Sequence, residues 1–288
     1  MGGSADILVA ACLWGTTGTV RTFVDGASNV SIAAARIVLG GGLLLVLAVF
    51  TARAGLRALL AVRRNWALVG LGALAIAVYQ GAFFIAVART GVAIGTVVTI
   101  GSAPAFAGLI GVITRQAALS RRWLAATAGA VTGCALLVGG GESAGADPVG
   151  VALALLSGLS YAVYATLAAA LIGRGESDRA VVAALFGAAA AVMAPVLVLS
   201  GTAWMVSASG ALIILYLGGV TTAGGYMLFA RGLRTTPATT ATTLTLAEPA
   251  VAAVLGVLVL GEHLGGPAVA GLGLVAVSLI VLIAPARR

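Results

Sequence analysis

Few side chains in this sequence could do chemistry, and those few lie deep in apolar stretches. Glu248 stands ten residues into the apolar stretch 238–260, with Pro249 beside it. At about 1.5 Å per helical residue it lies roughly 16 Å from one end, near the middle of a bilayer. An ionisable group at that depth is costly and is by default a functional hypothesis. Burial disfavours the charged carboxylate. Glu248 therefore reads either as a proton-coupling group or as a hydrogen-bonded carboxyl that stitches helices together beside Pro249. Arg36 lies about 9 Å below the end of the stretch 30–51. It could receive a substrate carboxylate, pair with Glu248, or snorkel outward to the headgroups.

Rings accompany these charges. Trp14 is about eight residues, or roughly 12 Å, into the first apolar stretch. Tyr161 occupies the matching place in the second half of the chain, with Tyr164 one turn further on. Tyr79 and Phe83 share a helix face at i, i+4, with Gln80 and Phe84 on the adjoining face, and Tyr226 occupies the matching region of the apolar stretch 208–230. These rings are too deep for an interfacial belt, and buried Tyr and Trp need partners for their polar atoms. As a cluster they predict an aromatic-lined cavity with Gln80 as an amide handle, suited to a planar organic substrate. Taken singly, each ring could instead be packing or facing lipid. Pro104 and Pro249 would each remove an N–H and free a carbonyl four residues back, at Ile100 and Thr245. Such groups survive in a membrane only if re-satisfied or facing a cavity. Thr99, Ser102 and Thr243 are near enough to do the former, and the two prolines are candidate hinge points.

Other chemistry has no basis in the sequence. There is no HxxxH, CxxC, nucleophile elbow or P-loop, so neither an enzyme nor an ATP-driven machine is expected, and no cofactor or metal. Cys12 and Cys134 fall inside apolar stretches and imply no disulfide. His263 follows Glu262 in a connection and reads as solvated.

The elements that hold these residues are membrane helices. With 61% hydrophobic residues, 8% charged and a mean hydropathy of +1.16, the chain has too few polar residues to coat a soluble surface. Ten spans are expected, at about 6–24, 30–51, 66–88, 92–113, 122–140, 148–172, 179–200, 208–230, 238–260 and 266–284. The fold class is all-α integral membrane. With the N-terminus inside, 13 of the 16 arginines fall in cytoplasmic segments, while Asp25, Glu142, Asp147 and Glu262 lie outside. The positive-inside rule then puts both termini in the cytoplasm. The +8 charge is explained by that topology, and no nucleic acid partner is expected. No cleavable signal is apparent, so the first span is expected to stay.

The chain is also duplicated. Shifting by 145 residues places Phe84 on Phe229, Arg89 on Arg234, Thr90 on Thr235 and Pro104 on Pro249. In all, nine of 29 positions are identical, where chance would give about three. Five spans per half is odd, so residues 1–140 and 141–288 form two inverted five-helix repeats within one membrane domain. Inverted repeats are typical of secondary transporters, with the substrate near the midplane between halves. Gly129 and Gly133 form a GxxxG pair that could serve dimerisation, but internal packing is favoured, and a monomer over a dimer. Trp66, Trp123 and Trp204 lie at span ends and read as interfacial anchors.

The residues now match a known pattern. Leu13-Trp14-Gly15 in the first span, Arg36 in the second, LAEPAVAAVLGVLVLGEHL at 246–264 and Gly271 in the last span together resemble the EamA-type drug/metabolite transporters over the whole chain. More narrowly, the chain is similar to the bacterial exporters of aromatic amino acids and methyl viologen. The resemblance implies a multi-pass protein of the bacterial inner membrane that works without nucleotide hydrolysis. It further implies a central cavity lined by spans 1, 3, 4, 6, 8 and 9, with Glu248, Pro249, Trp14 and Arg36 on the family pattern. The first half departs from that pattern, with Ser102-Ala103-Pro104 opposite Ala247-Glu248-Pro249. Asp6 is too near the end of its span to stand in for a second carboxylate. The reading that follows is a secondary transporter exporting amino acids, aromatic ones first, and related small metabolites by alternating access between cytoplasm and exterior. The alternative is a broad exporter of organic cations and drugs such as methyl viologen.

Overall fold

Inside a bilayer a backbone N–H or C=O has no outside partner, so a chain this apolar must satisfy its backbone within helices. The computed structural model describes residues 2–24, 26–116, 119–138, 147–261 and 263–284. Asp25, Glu142, Glu262, Arg287 and Arg288, which the charge argument used, lie outside the described residues, as does the 140/141 division between halves. Among the described residues there is no strand. The helices are α1 (Gly3–Arg21), α2 (Asn29–Thr51), the short α3 (Arg53–Ala61), α4 (Arg63–Ile113), α5 (Arg121–Val138), α6 (Pro148–Gly173) and α7 (Asp178–Ser200). They are followed by α8 (Ala208–Leu215), α9 (Gly225–Gly232), α10 (Ala238–Leu244), α11 (Ala247–Leu260) and α12 (Gly266–Ile283). Local chemistry sets several starts. Ser28, Asp147 and Ser207 each accept a backbone N–H from the first turn that follows.

Eight segments are long and apolar enough to cross a membrane: Asn29–Thr51, Arg63–Gly91, Ile94–Ile113, Pro148–Gly173, Asp178–Ser200, Ala208–Gly232, Ala238–Leu260 and Gly266–Ile283. The other two of the ten expected spans, α1 and α5, are helices of 19 and 18 residues. Asp6 and several threonines dilute the apolar character of α1, and Arg121, Arg122 and small residues that of α5.

Three departures from regular helix shape the bundle. The spans expected at 66–88 and 92–113 run on as α4, which turns back at Gly91 (φ 84°, ψ 157°), a conformation that only glycine adopts without strain. Between α8 and α9 the backbone widens into a π-helical stretch, Tyr216–Gly224. The span expected at 238–260 is broken at Thr245 and Leu246, and Pro249 is the third residue of α11. Proline is tolerated in a first turn, where its missing N–H has no helical partner to lose. The two prolines therefore differ: Pro249 marks a restart, while the helix runs on through Pro104. The Leu246 carbonyl at the break receives the Cys134 thiol at 3.7 Å. Thr243 does not reach the Thr245 carbonyl; it bonds to Thr239 and, at 3.0 Å, to Thr127 on α5.

Helices pack mainly across the two halves. Both legs of α4 lie against α6, α2 against α7, α5 against α12, and α1 against α9 and α11. Small residues permit these approaches. A Cβ on Gly133 would come 2.8 Å from the Gly271 carbonyl, and one on Gly40 would meet Thr222 and Gly218. The Gly129/Gly133 face is thus filled by α12 of the same chain. Trp66 is exposed, but Trp123 and Trp204 are buried and donate to the Thr239 carbonyl at 3.1 Å and to Ser31 at 2.8 Å. They pin helices to one another and are not interfacial anchors.

The two ends of the bundle are tied in a related way. At one end Arg231 on α9 pairs with buried Asp6 on α1 at 3.2 Å, while Gly3 abuts Thr235 and Gly232. At the other, Arg89 of α4 pairs with Asp147 at the start of α6 at 2.9 Å, while Gly150 abuts Thr90 and Arg89. Thr90 and Thr235 are the same position of the duplicated unit, 145 residues apart. These ends are called the Asp6 end and the Arg21 end below.

Candidate substrate cavity

A cavity of about 250 Å³ opens between the halves, running from mid-bundle toward the Arg21 end. Its α1 wall begins at Trp14 and continues through Thr17 and Gly18 to Arg21. Each span the resemblance implied contributes: Tyr79 to Val87 and Thr96 to Ile100 from the two legs of α4, Tyr161 from α6, Tyr226 from α9, and Thr245 to Ala252 around the α10–α11 break. α2, which the resemblance's list of lining spans omits, adds a wall with Asn29, Ile32, Ala33 and the expected Arg36.

Seven of the eight residues expected at a substrate site line this cavity: Trp14, Arg36, Tyr79, Gln80, Phe83, Tyr161 and Tyr226. Tyr164 does not. It is 2% exposed and packs behind the wall against Phe186, Tyr226 and Phe229. The rings form one connected train. Phe83 meets Tyr79 at 6.4 Å, Tyr79 meets Tyr161 at 5.6 Å, Tyr161 meets Phe229 at 6.2 Å, and Phe229 meets Trp14 at 5.6 Å. Trp14 then lies 4.7 Å from Tyr226, which lies 4.2 Å from Phe186. The train serves as the wall at one end and as the floor at the other. Phe186 and Phe229 are fully buried and close the cavity from the Asp6 end.

The π-helical stretch positions two site residues that belong to other helices. The Trp14 indole N–H donates to the Thr221 carbonyl at 2.9 Å. Arg36 Nε donates to Thr222 Oγ1 at 3.3 Å, and Thr222 in turn donates to the Leu217 carbonyl at 2.8 Å. Arg36 is thereby turned into the cavity, with Thr222 as its anchor. It is half-buried, and among the described residues no ion pair reaches it or Glu248. Glu248 and Pro249 also line the cavity; Pro104 is buried but does not.

Several wall atoms lack partners among the described residues. Gln80, 3% exposed, has its amide Nε2 unpaired, and the Tyr161 hydroxyl, Thr17 Oγ1, Arg21 Nε and Asn29 Oδ1 are likewise unpaired. Buried polar groups are normally satisfied, so a wall with several idle donors and acceptors suits a polar ligand. Arg21, Asn29, Thr17 and Thr222 were not legible as site residues. Arg21 reads in sequence as a loop charge near the end of a span, yet it lines the cavity together with Asn29 of α2.

The remaining sequence candidates lie elsewhere. Asp6 is committed to Arg231, and His263 is exposed. Among the described residues no group of three or more His, Cys, Asp or Glu could hold a metal. A second recess, of about 340 Å³, opens at the Asp6 end between Ala107, Gly111, Thr166 and the segment Leu233–Thr239. The Tyr164–Phe229 pair, stacked with centroids 6.2 Å apart, lies between it and the cavity.

Comparison with known proteins agrees with this architecture. The chain is 38% identical over 285 residues to the uncharacterized transporter YwfM of Bacillus subtilis (strain 168), covering 98% of this chain and 94% of that one. A crystal structure with 17% sequence identity superposes with a TM-score of 0.83 over 98% of this chain and 96% of that one, which speaks to the fold alone. The EamA-like transporter family matches the sequence twice, over residues 3–139 and 148–284. On the duplicated match and the full-length relative, the chain is a member of the EamA-like transporter family.

Proposed function

We propose that this protein is a secondary transporter that exports amino acids, aromatic ones first, across the bacterial inner membrane by alternating access. It has ten spans in two inverted repeats, with both termini in the cytoplasm. The observation that carries the reading is the cavity itself. Trp14, Tyr79, Phe83 and Tyr226 offer ring faces for an apolar side chain, while Arg36 and the idle Gln80 amide offer polar groups for a backbone end. With the N-terminus inside, the Arg21 end is the exterior, so the described state is open outward and shut inward by the ring train and the Asp6–Arg231 pair. The recess beneath, at the Asp6 end, is where a cytoplasmic substrate would enter in the opposite state.

The second reading, export of organic cations such as methyl viologen, rests on Glu248 facing the cavity. Uptake of radiolabelled phenylalanine, tryptophan, threonine and methyl viologen into proteoliposomes, with and without a pH gradient, decides between them. Saturable phenylalanine and tryptophan uptake, lost in Tyr79→Ala and Trp14→Ala, is expected. Methyl viologen as sole substrate would overturn the amino-acid reading. Activity of Glu248→Gln without dependence on the gradient would mark a facilitator.

A further inference from the structure

The cavity carries a charge pattern that the aromatic reading alone does not use. Its described wall contains two guanidinium groups, Arg21 and Arg36, against one carboxylate, Glu248. Arg36 is seven residues into α2 from Asn29, and Arg21 is the last residue of α1. The two cations are therefore offset by about 10 Å along the bundle axis, at 1.5 Å per residue, one deep and one at the mouth. Each has a polar neighbour that orients or accompanies it: Thr222 Oγ1 accepts from Arg36 Nε, and Asn29 Oδ1 shares the mouth with Arg21, this oxygen and the buried Arg21 Nε both lacking a partner among the described residues. A guanidinium is a planar fork of donors that matches a carboxylate and accepts nothing. Two of them along one path favour an anionic group on the substrate and disfavour a bare organic cation.

Building on the transport reading above, we propose that Arg36 and Arg21 are successive receiving groups for a substrate carboxylate. Arg36 holds it beside the ring train, and Arg21 receives it at the mouth as it leaves or enters. The substrate class is an aromatic carboxylate, of which an aromatic amino acid is one member. Selectivity against dications arises in the cavity from these two charges.

Three ring-matched probes test this on the full-length protein in detergent by calorimetry: phenylalanine, 3-phenylpropionate with no ammonium, and phenethylamine with no carboxylate. The two carboxylates are expected to bind and to compete, with phenethylamine at least about tenfold weaker. Arg36→Gln should weaken both carboxylates about tenfold or more, and Arg36→Lys should restore part of that. Arg21→Gln should leave equilibrium binding within about twofold but raise the half-saturating external concentration for uptake about tenfold, with Arg21→Lys in between. Arg57→Gln, on the short α3 away from the cavity, serves as the unaffected control. Phenethylamine binding as tightly as the carboxylates, or none of the three probes binding, overturns the proposal. So does an Arg21→Gln variant with unchanged external half-saturation. Arginine-dependent binding of 3-phenylpropionate without any phenylalanine transport would sink the amino-acid reading and leave this one standing.

Discussion

The indole N–H of Trp14 on α1 donates to the carbonyl of Thr221 in the π-helical stretch at 2.9 Å, binding the first helix of one half to the widened helix of the other. Gly225, one turn further on, makes room for this: a Cβ there would lie 2.6 Å from Trp14 Nε1. Trp14→Phe keeps a ring but loses the donor, and should lower transport a few-fold with a stability loss of about 1 kcal/mol. Gly225→Ala must push the indole aside, and should cost more transport than Trp14→Phe does. Substrate counterflow and thermal unfolding measured on both variants check the order.

Thr222 acts on substrate only through Arg36. Thr222→Val preserves the side-chain shape and removes the hydroxyl that accepts from Arg36 Nε. The half-saturating concentration should rise about three- to tenfold, since the guanidinium is then free to swing, while the maximal rate changes little. Thr222→Ser should retain wild-type values. Full kinetic curves for the three proteins separate these outcomes.

At Gly133 the seam between α5 and α12 leaves no space for a side chain. Gly133→Ala would drive a methyl group against the Gly271 carbonyl and the Val275 backbone N–H, at 2.8 and 2.9 Å. Overpacking of this kind costs about 1–3 kcal/mol. The expected result is a lower unfolding temperature with no change in oligomeric state on size exclusion. A shift between dimer and monomer would mean that this face serves a second copy.

At the Arg21 end the hydrogen bond from Arg89 holds the Asp147 carboxyl below the usual carboxylate range. A depressed folded-state value contributes stability that is present above the unfolded value, near 3.9, and is lost as the pH falls through the folded value. The pair is exposed, so the contribution is small and screened by salt. Wild type should therefore lose a slight thermal advantage over Asp147→Asn on going from pH 7 to pH 3, and the gap should narrow in high salt. A gap that widens on acidification would reverse the sign of the argument.

Much of the architecture was legible because its causes are local. Hydropathy located the helices, and the 145-residue shift found the duplication through residues such as Arg89 and Arg234. Trp14, Arg36, Tyr79 and Tyr161 were legible as cavity-lining residues because polar or aromatic groups at such depth demand a reason. What was not legible depends on tertiary register. Nothing in YLGGVTTAG announces a π-helix, so Thr222 gave no sign of holding Arg36. Tyr161 and Tyr164 look alike in sequence, one turn apart, yet only the first reaches the cavity. Trp123 and Trp204 were misread because a tryptophan at a span end fits a headgroup layer or an inter-helix socket equally well. Pro104 and Pro249 share a sequence position but not a conformation, and the Cys134 thiol at the break in the second is a contact 112 residues away.

The glycine contacts at the two ends have a consequence for biosynthesis. Gly150 of the second half docks on Thr90 of the first, and Gly3 of the first docks on Thr235 of the second, so each half supplies the abutment that the other lacks. As the chain leaves the ribosome, α4 waits for α6 before its main partner exists, and α1 waits longest, until α9 and α11 have emerged. The gene doubled, but the assembling unit is the whole interlocked pair. A half produced by itself would present its docking faces to lipid and chaperones, and co-expressed halves would be expected to find each other.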